Sequence, residues 1–338
     1  MNSELSSLQV KDIGEQGLLS RLQRFCPPEI IGDDAAVLAT PPDKSLVVTT
    51  DMLVDGVHFS DLTTSPEDAG WRAVAANLSD LAAMGAFPLG ITVGLGLPGN
   101  TRVNWVERLY QGMTECLQKY HTTIVGGDVV RSPITTLAIT AFGQVDPNFI
   151  IRRSAAKVGD AIAITGIHGA SRAGLELLLH PEIGQNLKNQ EQASLIKAHQ
   201  RPNPRLDVIP ILHQIIKPKT SIAGMDSSDG LADAVLQICR ASGVGAILEH
   251  AQIPLPPAFK HWLTPQQQRE YFLYGGEDFE LVLCLPQAQA ETLVKQLGTG
   301  AAIIGKITEN LTVLLHDQEQ RFPDQTLTLN QGFKHFSQ

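Results

Sequence analysis

Apolar residues recur along the first half of the chain in two rhythms. Short runs at 46–49, 90–95, 123–125 and 136–142, rich in Val, Ile, Leu and Thr, predict strands. Among them Trp71, Val74, Ala75, Leu78, Leu81 and Ala82 repeat at spacings of three and four, which predicts a helix with one core-facing stripe. Ser65 is placed to cap that helix, Pro66 to open it, Glu67 and Asp68 to favour its dipole, and Gly85 to stop it. A second helix over 103–120 is more polar and is expected at the surface or an interface. The turn cluster Asp146-Pro147-Asn148 then closes a strand and predicts a boundary between a domain over 1–148 and a domain over 149–338.

Beyond the boundary, strands are predicted over 158–165, 245–248, 279–285 and 302–307. Helices are predicted over 171–180, 206–216, 231–241 and 289–297, with a polar loop over 181–192. The interleaving of the two periods points to the α/β class in both halves.

Composition narrows the function. With 338 residues, 43% hydrophobic and 18% charged, the chain is long enough for two ordinary domains. The formal charge of −9 comes without any cluster of Lys and Arg, which argues against a nucleic-acid partner. Residues 1–22 are polar and amphipathic, and no later run approaches a membrane span, so a cytoplasmic protein is expected. Cys26, Cys116, Cys239 and Cys284 are far apart in sequence and form no metal or redox motif, which predicts reduced, packed thiols.

The acids are the candidate chemistry. They occur as Asp33-Asp34, Asp51, Asp80, Asp128, Asp226 with Asp229, and Glu277-Asp278. Each also has a plain reading as a turn or cap residue. Thr49-Thr50-Asp51 presents two hydroxyls and a carboxylate at the end of a predicted short buried strand, oxygen donors that suit a hard cation such as Mg2+. Asp80 falls inside a helix, where Asp has poor propensity. In Gly126-Gly127-Asp128 the glycines let backbone amides approach a phosphate while the acid holds its metal. Asp226-Ser227-Ser228-Asp229-Gly230 opens a helix whose N-terminus favours an anion. His58 follows the Asp51 strand closely and is the histidine singled out for function.

No Gly-x-x-x-x-Gly-Lys-Ser/Thr, His-Arg-Asp or Asp-Phe-Gly occurs, which excludes P-loop NTPases and protein kinases on motif grounds. Phosphoryl transfer needs positioning and charge neutralisation more than covalent chemistry, and carboxylate-held magnesium ions supply both. An acidic protein without a P-loop is consistent with that chemistry.

Taken in order, these motifs resemble the thiamine-monophosphate kinase family, within the aminoimidazole ribonucleotide synthetase superfamily. The resemblance runs through Ile31-Gly-Asp-Asp-Ala, Thr49-Thr-Asp-Met-Leu-Val-Asp-Gly-Val-His-Phe59, Asn77-Leu-Ser-Asp-Leu-Ala-Ala-Met-Gly85, Gly126-Gly-Asp128, Arg153 with Gly159-Asp160, Met225-Asp-Ser-Ser-Asp-Gly230, Gly275-Gly-Glu-Asp278 and Gly332-Phe-Lys-His-Phe336. It implies a two-domain aminoimidazole ribonucleotide synthetase-like fold whose N-terminal domain dimerises through its sheet. It implies that Asp34, Thr49, Thr50, Asp51, Asp80, Asp128, Asp226 and Asp229 hold several Mg2+ ions around ATP, with Tyr110, Gly127, Asp128, Arg153 and Ser228 contacting the nucleotide. His58, Glu277 and Phe333 would line the thiamine monophosphate pocket, Phe333 standing where many relatives carry Trp. The implied reaction is direct transfer of the ATP γ-phosphoryl to thiamine monophosphate, without a covalent nucleophile. Two alternatives stand beside it: another ATP-dependent enzyme of the superfamily, and a divalent-cation-binding protein without turnover.

Overall fold

The helix expected from the Trp71 to Ala82 stripe forms where its caps place it. Ser65 Oγ accepts the Asp68 amide at 3.2 Å, the helix runs Pro66–Ala83, and Gly85 leaves it with φ +74°. A computed structural model describes residues 8–28, 38–217, 220–329 and 331. The predicted sites Asp34 and Phe333 lie outside the described residues.

The chain divides into two units, 1–81 with 87–144 and 82–86 with 145–338. The first contains α1 (Val10–Leu22), β1 (Ser45–Val54), most of α2 (Pro66–Ala83), β2 (Phe87–Leu97), α3 (Val103–Lys119), β3 (Ile124–Arg131) and β4 (Thr136–Val145). Its four strands lie in the order β1-β4-β2-β3, with β2 antiparallel to β4 and parallel to β3. Ile91, Val93, Leu95 and Leu97 of β2 and Leu137, Ile139 and Ala141 of β4 are buried at period two, as one core-facing sheet surface requires.

Helix α3 is amphipathic, with one exposed polar side and one buried stripe. Val106, Leu109, Met113 and Leu117 form a buried stripe, while Arg108, Gln111 and Lys119 keep the other side polar. Two glycines let α2 and α3 cross closely: a Cβ on Gly112 would lie 1.8 Å from Glu67 O, and one on Gly70 would lie 2.0 Å from Leu109 O.

The second unit is built on a seven-stranded sheet. Its elements in chain order are β5 (Ala161–Ile164), α4 (Ala170–Leu179), α5 (Asn189–Gln200), α6 (Val208–Ile215), β6 (Ala223–Asp226), α7 (Leu231–Ser242), β7 (Gly245–Glu249), α8 (Phe259–Trp262), α9 (Pro265–Tyr274), β8 (Leu281–Leu285), α10 (Gln287–Leu297), β9 (Ala302–Thr308), β10 (Val313–His316) and β11 (Gln325–Thr326). The strand order is β11-β10-β7-β9-β5-β8-β6, antiparallel throughout except for the β10–β7 pair. One face packs on α7 and α9 through Val235, Ile238, Phe272 and Leu273. The loop expected over 181–192 is instead a 3-10 turn at Pro181–Gly184 followed by the start of α5.

Candidate active-site elements

In the first unit, β1 sorts its own candidates. The strand is longer than the short buried run expected, and its even-numbered residues from Leu46 to Met52 are exposed while Val47, Thr49 and Asp51 are half-buried. Pleating therefore puts Thr49 and Asp51 on one face and Thr50 on the other. Thr49 Oγ1 donates to Asp80 Oδ2 on α2, and the Asp51 amide donates to Asn77 Oδ1 at 3.1 Å. Asn77 is fully buried and donates through Nδ2 to Ala73 O at 3.0 Å, so it joins α2 to β1 directly behind the acids. Thr50 Oγ1 faces Thr140 Oγ1 at 2.6 Å and Ile139 O at 2.9 Å on β4. Its hydroxyl is thus directed away from the Thr49 and Asp51 face.

Asp128 is likewise not at an element end. Gly126-Gly127-Asp128 lies within β3, and Asp128 Oδ1 accepts the Val129 amide at 2.9 Å. Two strands separate β3 from β1, so these edges stand roughly 14 Å apart at the usual strand spacing. Gly127 has a packing reason to be glycine, since a Cβ there would lie 2.3 Å from Val93 O on β2. His58 sits in the tight turn after β1, where Nδ1 accepts the Val54 amide at 3.1 Å. Neutral His58 therefore carries its proton on Nε2. Tyr110 is buried at 4% exposure, with its ring 5.7 Å from that of Phe25 and its hydroxyl pKa pushed well up by burial.

In the second unit, β6 ends on Asp226, which is buried at 2% exposure, and Gly230 turns the chain into α7 with φ +103°. Ser228 Oγ lies 3.4 Å from Asp226 Oδ1, while Ser228 O accepts the Glu277 amide at 2.7 Å. Gly276 allows this approach, because a Cβ there would come within 2.6 Å of Ser228 O. The loops 226–230 and 275–278 are therefore locked together through Ser228. Arg153 and Asp229 both act on Asp233, whose carboxyl is pushed up first by burial, then by Asp229, and is lowered by Arg153. Asp233 was not among the sequence candidates, though its place one turn beyond Asp229 was the available signal.

The pair Glu277-Asp278 is split by the backbone. Glu277 and Phe279 both adopt left-handed φ, +65° and +52°. Asp278 turns into the protein, where its two oxygens accept the amides of Gly169 at 2.6 Å and Ser171 at 2.8 Å at the start of α4. Burial raises the Asp278 carboxyl to about 7 against those two bonds. Glu277 stays partly exposed. Behind the other loop, fully buried His168 meets Ser227 Oγ through Nε2 at 3.0 Å, and burial holds its imidazole down to about 4.

Among the described residues no three His, Cys, Asp or Glu side chains converge as a ready metal cage. The donors present are all oxygens, in pairs such as Thr49 with Asp80 and Asp226 with Ser228. That composition fits Mg2+, which binds through one or two carboxylates plus substrate phosphates more readily than in an all-protein cage. Cys116, Cys239 and Cys284 are buried and unbridged, and burial raises the Cys239 and Cys284 thiols, which keeps them protonated.

Residues 32–145 match the AIR synthase related protein N-terminal domain and residues 157–316 the corresponding C-terminal domain. A thiamine-monophosphate kinase of Synechococcus elongatus is 52% identical over 338 residues, covering 98% of this chain and 99% of the relative. The crystal structure of thiamine-monophosphate kinase from Stenotrophomonas maltophilia superposes with a TM-score of 0.76 at 31% identity, over 90% of this chain and 95% of that one. AaThiL complexed with AMPPCP and TMP superposes with a TM-score of 0.72 at 30% identity, over 95% and 98%. With both domain signatures in order and this similarity over nearly its full length, the chain belongs to the thiamine-monophosphate kinase family of AIR synthase related proteins.

Proposed function

We propose that this protein transfers the γ-phosphoryl of ATP to thiamine monophosphate, giving thiamine diphosphate and ADP. The full-length similarity to a thiamine-monophosphate kinase carries the reading. The acceptor oxygen belongs to a phosphate already anionic at neutral pH, so its attack on the γ-phosphorus, with ADP leaving, needs no strong general base. The obstacle is repulsion between two phosphates. Mg2+ would be held by Asp34, Thr49, Thr50, Asp51, Asp80, Asp128, Asp226 and Asp229, and would supply the neutralising charge.

Around that charge the chain's own groups position the reactants. Ser228, Gly127, Arg153 and Tyr110 contact ATP; His58, through its Nε2 side, and Glu277 face the acceptor, with Phe333 against its ring. Gln331 bonds Tyr274, the residue before Gly275. A cytoplasmic homodimer is part of the same reading. Leu46 and Val48 are each 54% exposed and Met52 55% on one face of β1, an apolar surface of the kind a second copy covers. The test is direct: folded protein with ATP, Mg2+ and thiamine monophosphate should release thiamine diphosphate and ADP in equal amounts. Absence of product would refute the proposal.

A further inference from the structure

Glu277 has a neighbour that the sequence motifs do not include. His199, on the last turn of α5, is 2% exposed, and its Nδ1 lies 3.2 Å from Ser171 Oγ and 3.7 Å from Glu277 Oε2. Its place is set by a tight helix crossing: a Cβ on Gly174 of α4 would lie 2.1 Å from Leu195 O and 3.0 Å from His199 Cβ. Ser171 thus serves two groups, its amide bonding Asp278 and its hydroxyl meeting His199. Glu277 is held at one end by its amide on Ser228 O and at the other by a carboxylate facing a buried imidazole. The imidazole narrows the conformations open to the Glu277 carboxylate, and a carboxylate already ordered loses less entropy when it binds a ligand.

We propose that His199 is a positioning residue for the phosphoryl acceptor: it orients the Glu277 carboxylate toward the cationic heteroaromatic part of the substrate. This rests on the reading that Glu277 faces thiamine monophosphate. A carboxylate held in place pairs with a cationic ring, and its aim sets acceptor affinity without touching the γ-phosphoryl. His199 is therefore a determinant of acceptor binding, and nucleotide binding is independent of it.

Steady-state kinetics on His199→Leu, His199→Asn and Ser171→Ala, beside wild type and Glu277→Gln, test this. His199→Leu should raise KM for thiamine monophosphate roughly tenfold while KM for ATP and kcat stay within about threefold. His199→Asn, which keeps an amide near the Nδ1 position, should recover most of that loss. Ser171→Ala preserves the amide on Asp278 and should raise the acceptor KM about threefold, which gives a reading even if His199→Leu fails to fold. Equal effects on both substrates, no change in acceptor KM for folded variants, or no rescue by Asn would overturn the proposal. Wild type inactive with thiamine monophosphate would instead overturn the functional reading. An active wild type whose acceptor KM is unmoved by Glu277→Gln would remove Glu277 from the acceptor site, and the role of His199 with it.

Discussion

Asp51 is half-buried and Asp128 exposed within their strands, so their charges contribute little to packing. Asp51→Asn and Asp128→Asn should each lower kcat by about a hundredfold or more, as loss of a metal-binding group does, while shifting Tm by only a few degrees. Comparable losses of folding would mark these acids as structural. His168 and Asp278, both buried, make a separate prediction with opposite signs. His168 has its pKa depressed from 6.5 to about 4, so its neutral form contributes stability above pH 6.5 that is lost as pH falls toward 4. Asp278 has its pKa raised from 3.8 to about 7, so its contribution is full below pH 3.8 and is lost as pH rises through 7. Urea unfolding between pH 4 and 6.5 should therefore show a shallow dependence in wild type and a steeper rise of stability with pH in Asp278→Asn. An unchanged slope would count against Asp278 titrating in this range. Nothing in the order Glu277-Asp278 announces that one acid serves the loop and the other caps α4. Left-handed backbone at Glu277 and Phe279 makes that separation, and only the packed loop holds it.

The glycines act on elements, and two readings of Gly127 can be separated by stability. Gly127→Ala and Gly112→Ala both place a methyl against backbone oxygen, at 2.3 Å and 1.8 Å, so each should cost about 1–3 kcal/mol or more in denaturant unfolding. If Gly127→Ala leaves stability intact and weakens only ATP binding, the phosphate-approach reading of that glycine prevails. The elements with clear period were legible in the sequence: α2 with its Ser65 cap, and β2 and β4 with alternating burial. Those missed had little pattern to read. Helix α5 buries only Leu195 and His199, and β6 is a four-residue Ala-Gly-Met-Asp strand with no β-branched residue. Both exist because the neighbouring α4 and β8 supply the contacts their own sequences lack.

For the molecule in solution, the exposed apolar face of β1 carries the prediction. Val48→Asp should shift sedimentation equilibrium from a dimer to a monomer while circular dichroism stays unchanged, because its side chain points away from the core face. A wild type that sediments as a monomer would remove the dimer from the reading. Hydrophobic periodicity and caps were sufficient to predict most elements, and the motifs taken in order resembled those of the family, because such signals are local and survive without any knowledge of neighbours. Which acids come together was decided by long-range pairing. Strand pleating put Thr50 opposite Thr49 and Asp51, sheet order put Asp128 on the far edge from β1, and a helix crossing brought His199 from α5 to Glu277. None of these relations has a counterpart in sequence spacing, since register, strand order and helix approach are set by side chains packing across segments that lie far apart along the chain.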